Sequence, residues 1–334
     1  MWTSFGNSTS NTLTSFALGR TERLTTHGAG PSGVVAMATR EASHAGSWYS
    51  SNRARLSKEL DGFLDAAGSH GSTPRALIVP HAGYSYSGPA AAWGYKNVDA
   101  GAGIRRVFLL GPSHHVFLRR CALSKCAAYA TPLGDLAVDR GVYEELRATG
   151  HFVDMDVDVD EAEHSLELHL PYIFKCFEVL PEKDRPTLVP IMVGALSTNA
   201  EATYGEILAP YLDDDANLFI VSSDFCHWGE RFGYQPWDEG RKDVGLHEQI
   251  EEMDRRGMEI IESKDADAFA AYLKETGNTI CGRHPIGVLL QTLRRSGGFD
   301  KTRVTFTRYE QSSAATGWND SSVSYASAVV FRDA

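Results

Sequence analysis

Two histidines in this chain stand just past the ends of apolar runs. Ala76-Leu77-Ile78-Val79 leads into Pro80-His81-Ala82-Gly83-Tyr84, and Arg106-Val107-Phe108-Leu109-Leu110 leads into Gly111-Pro112-Ser113-His114-His115. A thiol follows much later, in Ile280-Cys281-Gly282-Arg283-His284-Pro285. Imidazole and thiolate are ligand types for transition metals. Loops at the carboxyl edge of a parallel sheet are where α/β folds place their ligand crevice. A third apolar run, Asn217 to Val221, ends in Ser222-Ser223-Asp224-Phe225-Cys226-His227-Trp228, so an acid, a thiol and an imidazole leave one strand end together.

Cys281 has its own argument. Pro285 suits the first turn of a helix, which puts Cys281 just before a helix N-terminus with Arg283 and His284 beside it, and all three favour thiolate over thiol. Cys121, Cys126 and Cys176 sit among apolar residues and read as small hydrophobes. Successive residues of an extended segment face opposite ways, so Cys226 is expected to face wherever Asp224 faces, and His227 only if the backbone turns. The stretch Glu163-His164-Ser165-Leu166-Glu167-Leu168-His169 is not a zinc-helix motif. Its histidines are five apart, about 140° around a helix, and cannot grip one ion from that helix. Glu163 and Glu167 share a face, suit the first turn as caps, and one of them can reach the pocket.

The elements that must position these groups follow from periodicity. Ala76–Val79 and the run from Arg106 are expected as parallel neighbours about 4.8 Å apart in a βαβ unit, with a small-residue helix from Gly88 to Val98 between them. Further strands are expected at 187–193, where Pro190 marks an edge or a bulge, at 217–221, 303–309 and 323–331. Helices are expected at 140–149, 165–178, 200–212, 245–263, 266–276 and 285–295. The result is a single α/β domain with a central, mixed but largely parallel sheet flanked by helices.

The 334 residues, 43% of them apolar, suffice for one full core. Asp and Glu outnumber Lys and Arg by 43 to 32, with no basic run interleaved with aromatics, which argues against a nucleic-acid surface. No apolar run is long enough for a membrane span. Five cysteines without close spacings read as a reduced, cytoplasmic protein. Residues 1–38 are rich in Ser, Thr and Gly and poor in acids; a disordered leader is expected, with a transit segment as the alternative, ahead of a domain from 39 to 334.

From Arg40 onward the chain resembles the Memo family. The resemblance is carried by His44-Ala45-Gly46-Ser47-Trp48-Tyr49, the three clusters at His81, His114 and Cys281, Glu163-His164-Ser165, Ser222 to Trp228, and Asp320-Ser321-Ser322-Val323-Ser324-Tyr325-Ala326. It implies a fold like that of class III extradiol dioxygenases. It also implies a pocket where His81, His114 and Cys281 bind one copper or iron ion, with Trp48, Asp224 and His227 lining it. Tyr84, His115, Glu163, His164 and Arg283 complete the candidate pocket residues. A cysteine standing where the dioxygenase iron site has a carboxylate suits softer ions, zinc included, and argues against ring cleavage. Three functions follow as expectations. The first is metal-dependent redox activity linked to cell-motility signalling. The second is an adaptor that binds phosphotyrosine peptides from receptor-kinase signalling proteins. The third is a zinc hydrolase using a metal-bound water with Asp224 or His227 as base.

Overall fold

The strand Ala76–Val79 is buried at every position and ends at Pro80, which has no N–H for the ladder. The structure, a computed structural model, describes residues 38–333 apart from His70, Ser72 and Lys242. The expected leader therefore lies outside the described residues, save its last residue. The described residues cluster as one unit.

Among the described residues, nine strands make the main sheet. Its path runs His227–Trp228, Ser322–Arg332, Ala76–Val79, Asn217–Ser222, Arg106–Pro112, Thr187–Val193, Ala122–Leu123 and Val153–Asp154, with Thr302–Gln311 also paired to Ser322–Arg332. The four central strands, from Ala76–Val79 to Thr187–Val193, are parallel, and the flanking pairings to Ser322–Arg332 and Ala122–Leu123 are antiparallel. Burial of the central strands at nearly every position means both faces are covered, the expected mixed and largely parallel α/β sheet. A small second sheet joins Thr39–Arg40, Ala128–Tyr129 and Leu136–Ala137.

The expected pairing of the two histidine strands is corrected. Asn217–Ser222 lies between them, bonded to Ala76–Val79 on one side and to Arg106–Pro112 on the other. The crossover helix, Tyr84–Tyr95, begins four residues before the expected start because Gly83 caps it and Tyr84 N donates to Trp48 O at 2.9 Å. It ends early where the Asn97 amide donates to Trp93 O and Gly94 O.

Pro190 marks neither an edge nor a bulge: Thr187–Val193 pairs on both sides. Ala122–Leu123 reaches only Ile191 and Met192, so no partner asks Pro190 for an N–H, and the Tyr143 hydroxyl donates to its carbonyl at 2.6 Å. The single helix expected over 165–178 is two, His164–Glu167 and Leu170–Phe177. Pro171 has no N–H for the carbonyl of Glu167, and the helix must restart.

Helices Thr198–Asp213 and Arg283–Arg295 lie side by side, so close that a Cβ on Gly205 would sit 2.6 Å from Gln291 and one on Gly287 2.6 Å from Glu201. That contact seats the segment bearing Cys281 at the sheet edge.

Arg40 anchors the opposite wall. Its fully buried guanidinium donates to Asp160 Oδ1 at 3.0 Å, Glu167 Oε2 at 2.7 Å and Glu163 O at 2.8 Å. Glu167 also accepts from His44 N, His44 Nδ1 and Tyr49 OH, each at 2.8 Å, which pins the loop carrying Trp48. Burial alone would raise the Glu167 carboxyl, but the bond from His44 and the Arg40 charge take it down to about 2.

Two outcomes follow from this network. Arg40→Met leaves two buried acids without a counter-charge and should cost about 3–5 kcal/mol in urea unfolding. Because the folded Glu167 titrates below its ordinary 4.5, its contribution is complete above that pH and lost as pH falls toward about 2. The acid limb of the stability curve should accordingly shrink in Glu167→Gln.

Candidate metal centre

Three strand ends build the centre. Ala76–Val79 delivers His81, Arg106–Pro112 delivers His114, and the intervening strand delivers Ser222 and Asp224. The rings of His81 and His114 are 5.2 Å apart by centroid. Cys281 Sγ lies 3.3 Å from His81 Nε2 and accepts from Asp224 N at 3.2 Å. Donor atoms of His81, His114 and Cys281 all fall within 4.8 Å of one another, a grouping able to hold a metal ion.

The thiol gets there through its neighbour. A Cβ on Gly282 would stand 2.3 Å from Ser223 Cβ and 2.4 Å from Ser222 O, so only glycine lets the Cys281 segment approach the strand end. Gly282 N donates to Ser223 Oγ at 3.1 Å. Gly111 serves His114 similarly: a Cβ there would meet Ser165 Oγ at 2.7 Å, and Ser165 Oγ donates to Pro112 O at 2.6 Å.

Glu163 orients His114. Its oxygens accept from His114 N at 2.6 Å and Ser165 N at 2.9 Å, and His114 Nδ1 lies 2.9 Å away. The carboxylate is thus both the cap of the short helix His164–Glu167 and an outer partner of a candidate ligand, an arrangement common around metal-bound histidines. A second grouping, His114, Glu163 and His164, shares this carboxylate. With Glu163 already engaged, the grouping with the thiol has its donors freer.

Charge concentrates on one ring. Burial would lower the His114 imidazole, but Cys281 and Glu163 beside it reverse this and raise it to about 10. Burial, with His114 adding to it, takes His164 down to about 3 and holds His81 well below its ordinary value. Burial likewise takes His227 to about 4 and pushes the Asp224 carboxyl up to about 7, against a bond from His81 N to its Oδ1 at 2.8 Å.

Not every candidate pocket residue lies where expected. Asp224 is at the centre, accepting from His81 N and donating its own N–H to Cys281 Sγ, whereas His227, held by Thr279 and with Nδ1 2.9 Å from Phe225 O, reaches His81 only electrostatically. Trp48 is 36% exposed and lies 4.4 Å from the His164 ring, which stacks 4.4 Å from His114. His115 is exposed on the rim, 6.2 Å from His164.

Tyr84 is corrected. It is core, its hydroxyl donating to Leu168 O at 2.7 Å, because the early helix start turns it inward. Tyr86 instead joins Trp48, Arg231 and Tyr325 around a cleft of about 640 Å³. Arg283 is also corrected: it is exposed and lines a separate pocket with Glu201. His284 Nδ1 is 2.7 Å from Glu201 Oε1. Burial therefore pushes the Cys281 thiol up, and the charge opposing that comes from His114 rather than from Arg283 or His284. Cys226 does not face where Asp224 faces, since the chain leaves the sheet at Ser223 and Cys226 packs with Trp228, Leu246 and Ile250.

Ser222 and His169 were missed as site residues. Both are wholly buried, and His169 Nε2 is 2.8 Å from Ser222 Oγ, which is 2.5 Å from His81 Nδ1. The signal was available for Ser222 alone: a hydroxyl as the last residue of an otherwise apolar strand.

Gly282→Ala should cost about 1–3 kcal/mol through overpacking. It should also expose Cys281, read as faster modification of that residue by a thiol reagent, localised by peptide mass analysis.

Residues 40–329 match the family model described as "Memo-like protein". Protein MEMO1 of Danio rerio is 51% identical over 292 residues, spanning 87% of this chain and 96% of that protein. Protein MEMO1 of Homo sapiens is 50% identical over 289 residues, 86% of this chain and 95% of that protein. An uncharacterized Escherichia coli K12 protein of solved structure aligns with a TM-score of 0.41 at 11% identity, over 75% of this chain and 98% of that one.

Proposed function

This chain belongs to the Memo-like protein family, and from that premise we propose that His81, His114 and Cys281 bind one copper or iron ion in a redox centre. The observation that carries this reading is the convergence of two imidazoles and a thiol within 4.8 Å from three separate parts of the chain.

The donor set fits such an ion. Two imidazoles and a thiolate suit soft and borderline metals, and a three-residue set leaves coordination room for a small molecule. Glu163 supplies the outer carboxylate that fixes the His114 ring. A copper or iron ion bound here would supply one-electron exchange. The protein's own groups handle protons. Asp224, its carboxyl near 7, can hold or release one at neutral pH. His227 donates a hydrogen bond from Nδ1–H to Phe225 O, which leaves its Nε2 lone pair to accept a proton. Trp48 and His164 stack in turn beside the His114 ring on the open side of the site. We place this chemistry in receptor-kinase-driven motility signalling, as the family resemblance implies.

A second reading, the peptide-binding adaptor, has one observation in its favour: the cleft of about 640 Å³, walled by Trp48, Tyr86 and Tyr325 with Arg231 at its edge.

Metal analysis of protein made in copper-, iron- and zinc-supplemented media should find about one ion per chain, with copper or iron retained, and almost none in His81→Ala or Cys281→Ser. Oxygen uptake with a reductant should depend on that ion. Metal-free protein with full activity, or metal content unchanged in both variants, would overturn the redox reading. Binding of a phosphotyrosine peptide that survives chelation would favour the adaptor.

A further inference from the structure

The buried hydrogen bonds behind His81 fix where its proton sits. Tyr95 is buried and its hydroxyl lies 2.8 Å from His169 Nδ1. A buried hydroxyl proton needs an acceptor, so Tyr95 donates and neutral His169 carries its proton on Nε2. That N–H faces Ser222 Oγ at 2.8 Å. Ser222 in turn donates to the carbonyl of Ser165 at 2.7 Å, a group that can only accept. A serine hydroxyl has one proton and two lone pairs. With the proton on Ser165 and one lone pair filled by His169, only an acceptor position remains for His81 Nδ1, 2.5 Å away.

We propose that Ser222 is the positioning residue of this centre: saturated by Ser165 and by the Tyr95–His169 chain, it holds His81 in the Nδ1–H form, with the Nε2 lone pair aimed at Cys281. Nε2 is the atom 3.3 Å from the thiol, so His81 meets an incoming ion already in the ligating tautomer. The opposite tautomer would strand the Ser165 carbonyl, since Ser222 would have to turn its proton toward His81. The same hydroxyl joins His81, the short helix through Ser165, and the restart of the split helix through His169. Placement of the tautomer lock therefore depends on the same strand insertion that places Asp224. Its value for metal uptake rests on the redox-centre reading above; the tautomer itself does not.

Long-range proton–nitrogen spectra of metal-free, histidine-labelled protein test the tautomer directly. His81 should show a protonated Nδ1 and an unprotonated Nε2; a proton on Nε2 would overturn the proposal without any variant. Ser222→Ala should mix or reverse that pattern and weaken binding of zinc, used as the probe ion, by about 10–100-fold. Circular dichroism checks that the variant is folded. Unchanged zinc affinity with an unchanged His81 spectrum would sink the positioning role. Wild-type protein that shows the assigned tautomer and yet takes up no zinc, copper or iron would instead overturn the metal reading and leave the lock standing.

Discussion

The centre depends on one strand being in the right place. Asn217–Ser222 is inserted between the strands that carry His81 and His114, so the two histidine loops are separated by two strand spacings, roughly 10 Å, rather than one. The gap leaves room for a third group from above, which Cys281 fills, and a floor from below, which Ser222 and Asp224 supply.

A second constraint is electrostatic. Imidazoles this close cannot all be charged, and the fold settles the matter by setting Glu163 nearest His114, 2.9 Å from its Nδ1 against 3.4 Å for His164, and giving His81, His169 and His227 neutral partners. His114 has Glu163, whereas His81 has a hydroxyl, His169 two hydroxyls and His227 a carbonyl. The acid that matters most for architecture, Glu167, faces the other way and is spent on Arg40, His44 and Tyr49. Two acids four residues apart on one short stretch thus do unlike jobs, one aimed at the ligand side and one at the frame.

Much of this was legible in the sequence, for reasons tied to particular residues. Ala76–Val79 and Thr187–Val193 are apolar runs with clear ends, and the structure has both with the expected bounds. Helix Ala266–Thr276 likewise matches, capped by Asp265 and stopped by Gly277 in the left-handed region. Strand order was not legible, because a crossover that skips one position has the same local pattern as one that does not. Nor was the role of Ser222, whose partners His169, Ser165 and His81 lie 53, 57 and 141 residues away. Arg283 and His284 misled for the same reason: their chemistry suits a thiolate, but pairing of their helix with Thr198–Asp213 commits His284 to Glu201 and leaves Arg283 exposed in a separate pocket.

The contact between Cys281 and His81 spans 200 residues of chain. A growing polypeptide possesses both imidazoles early and the floor between them later, and it acquires the thiol after all of these. Until that last segment docks, any ion would meet an open pair of histidines with a different preference from the finished set. Selectivity for such an ion would in that sense be a property of the completed domain, set by a donor that follows all the others along the chain.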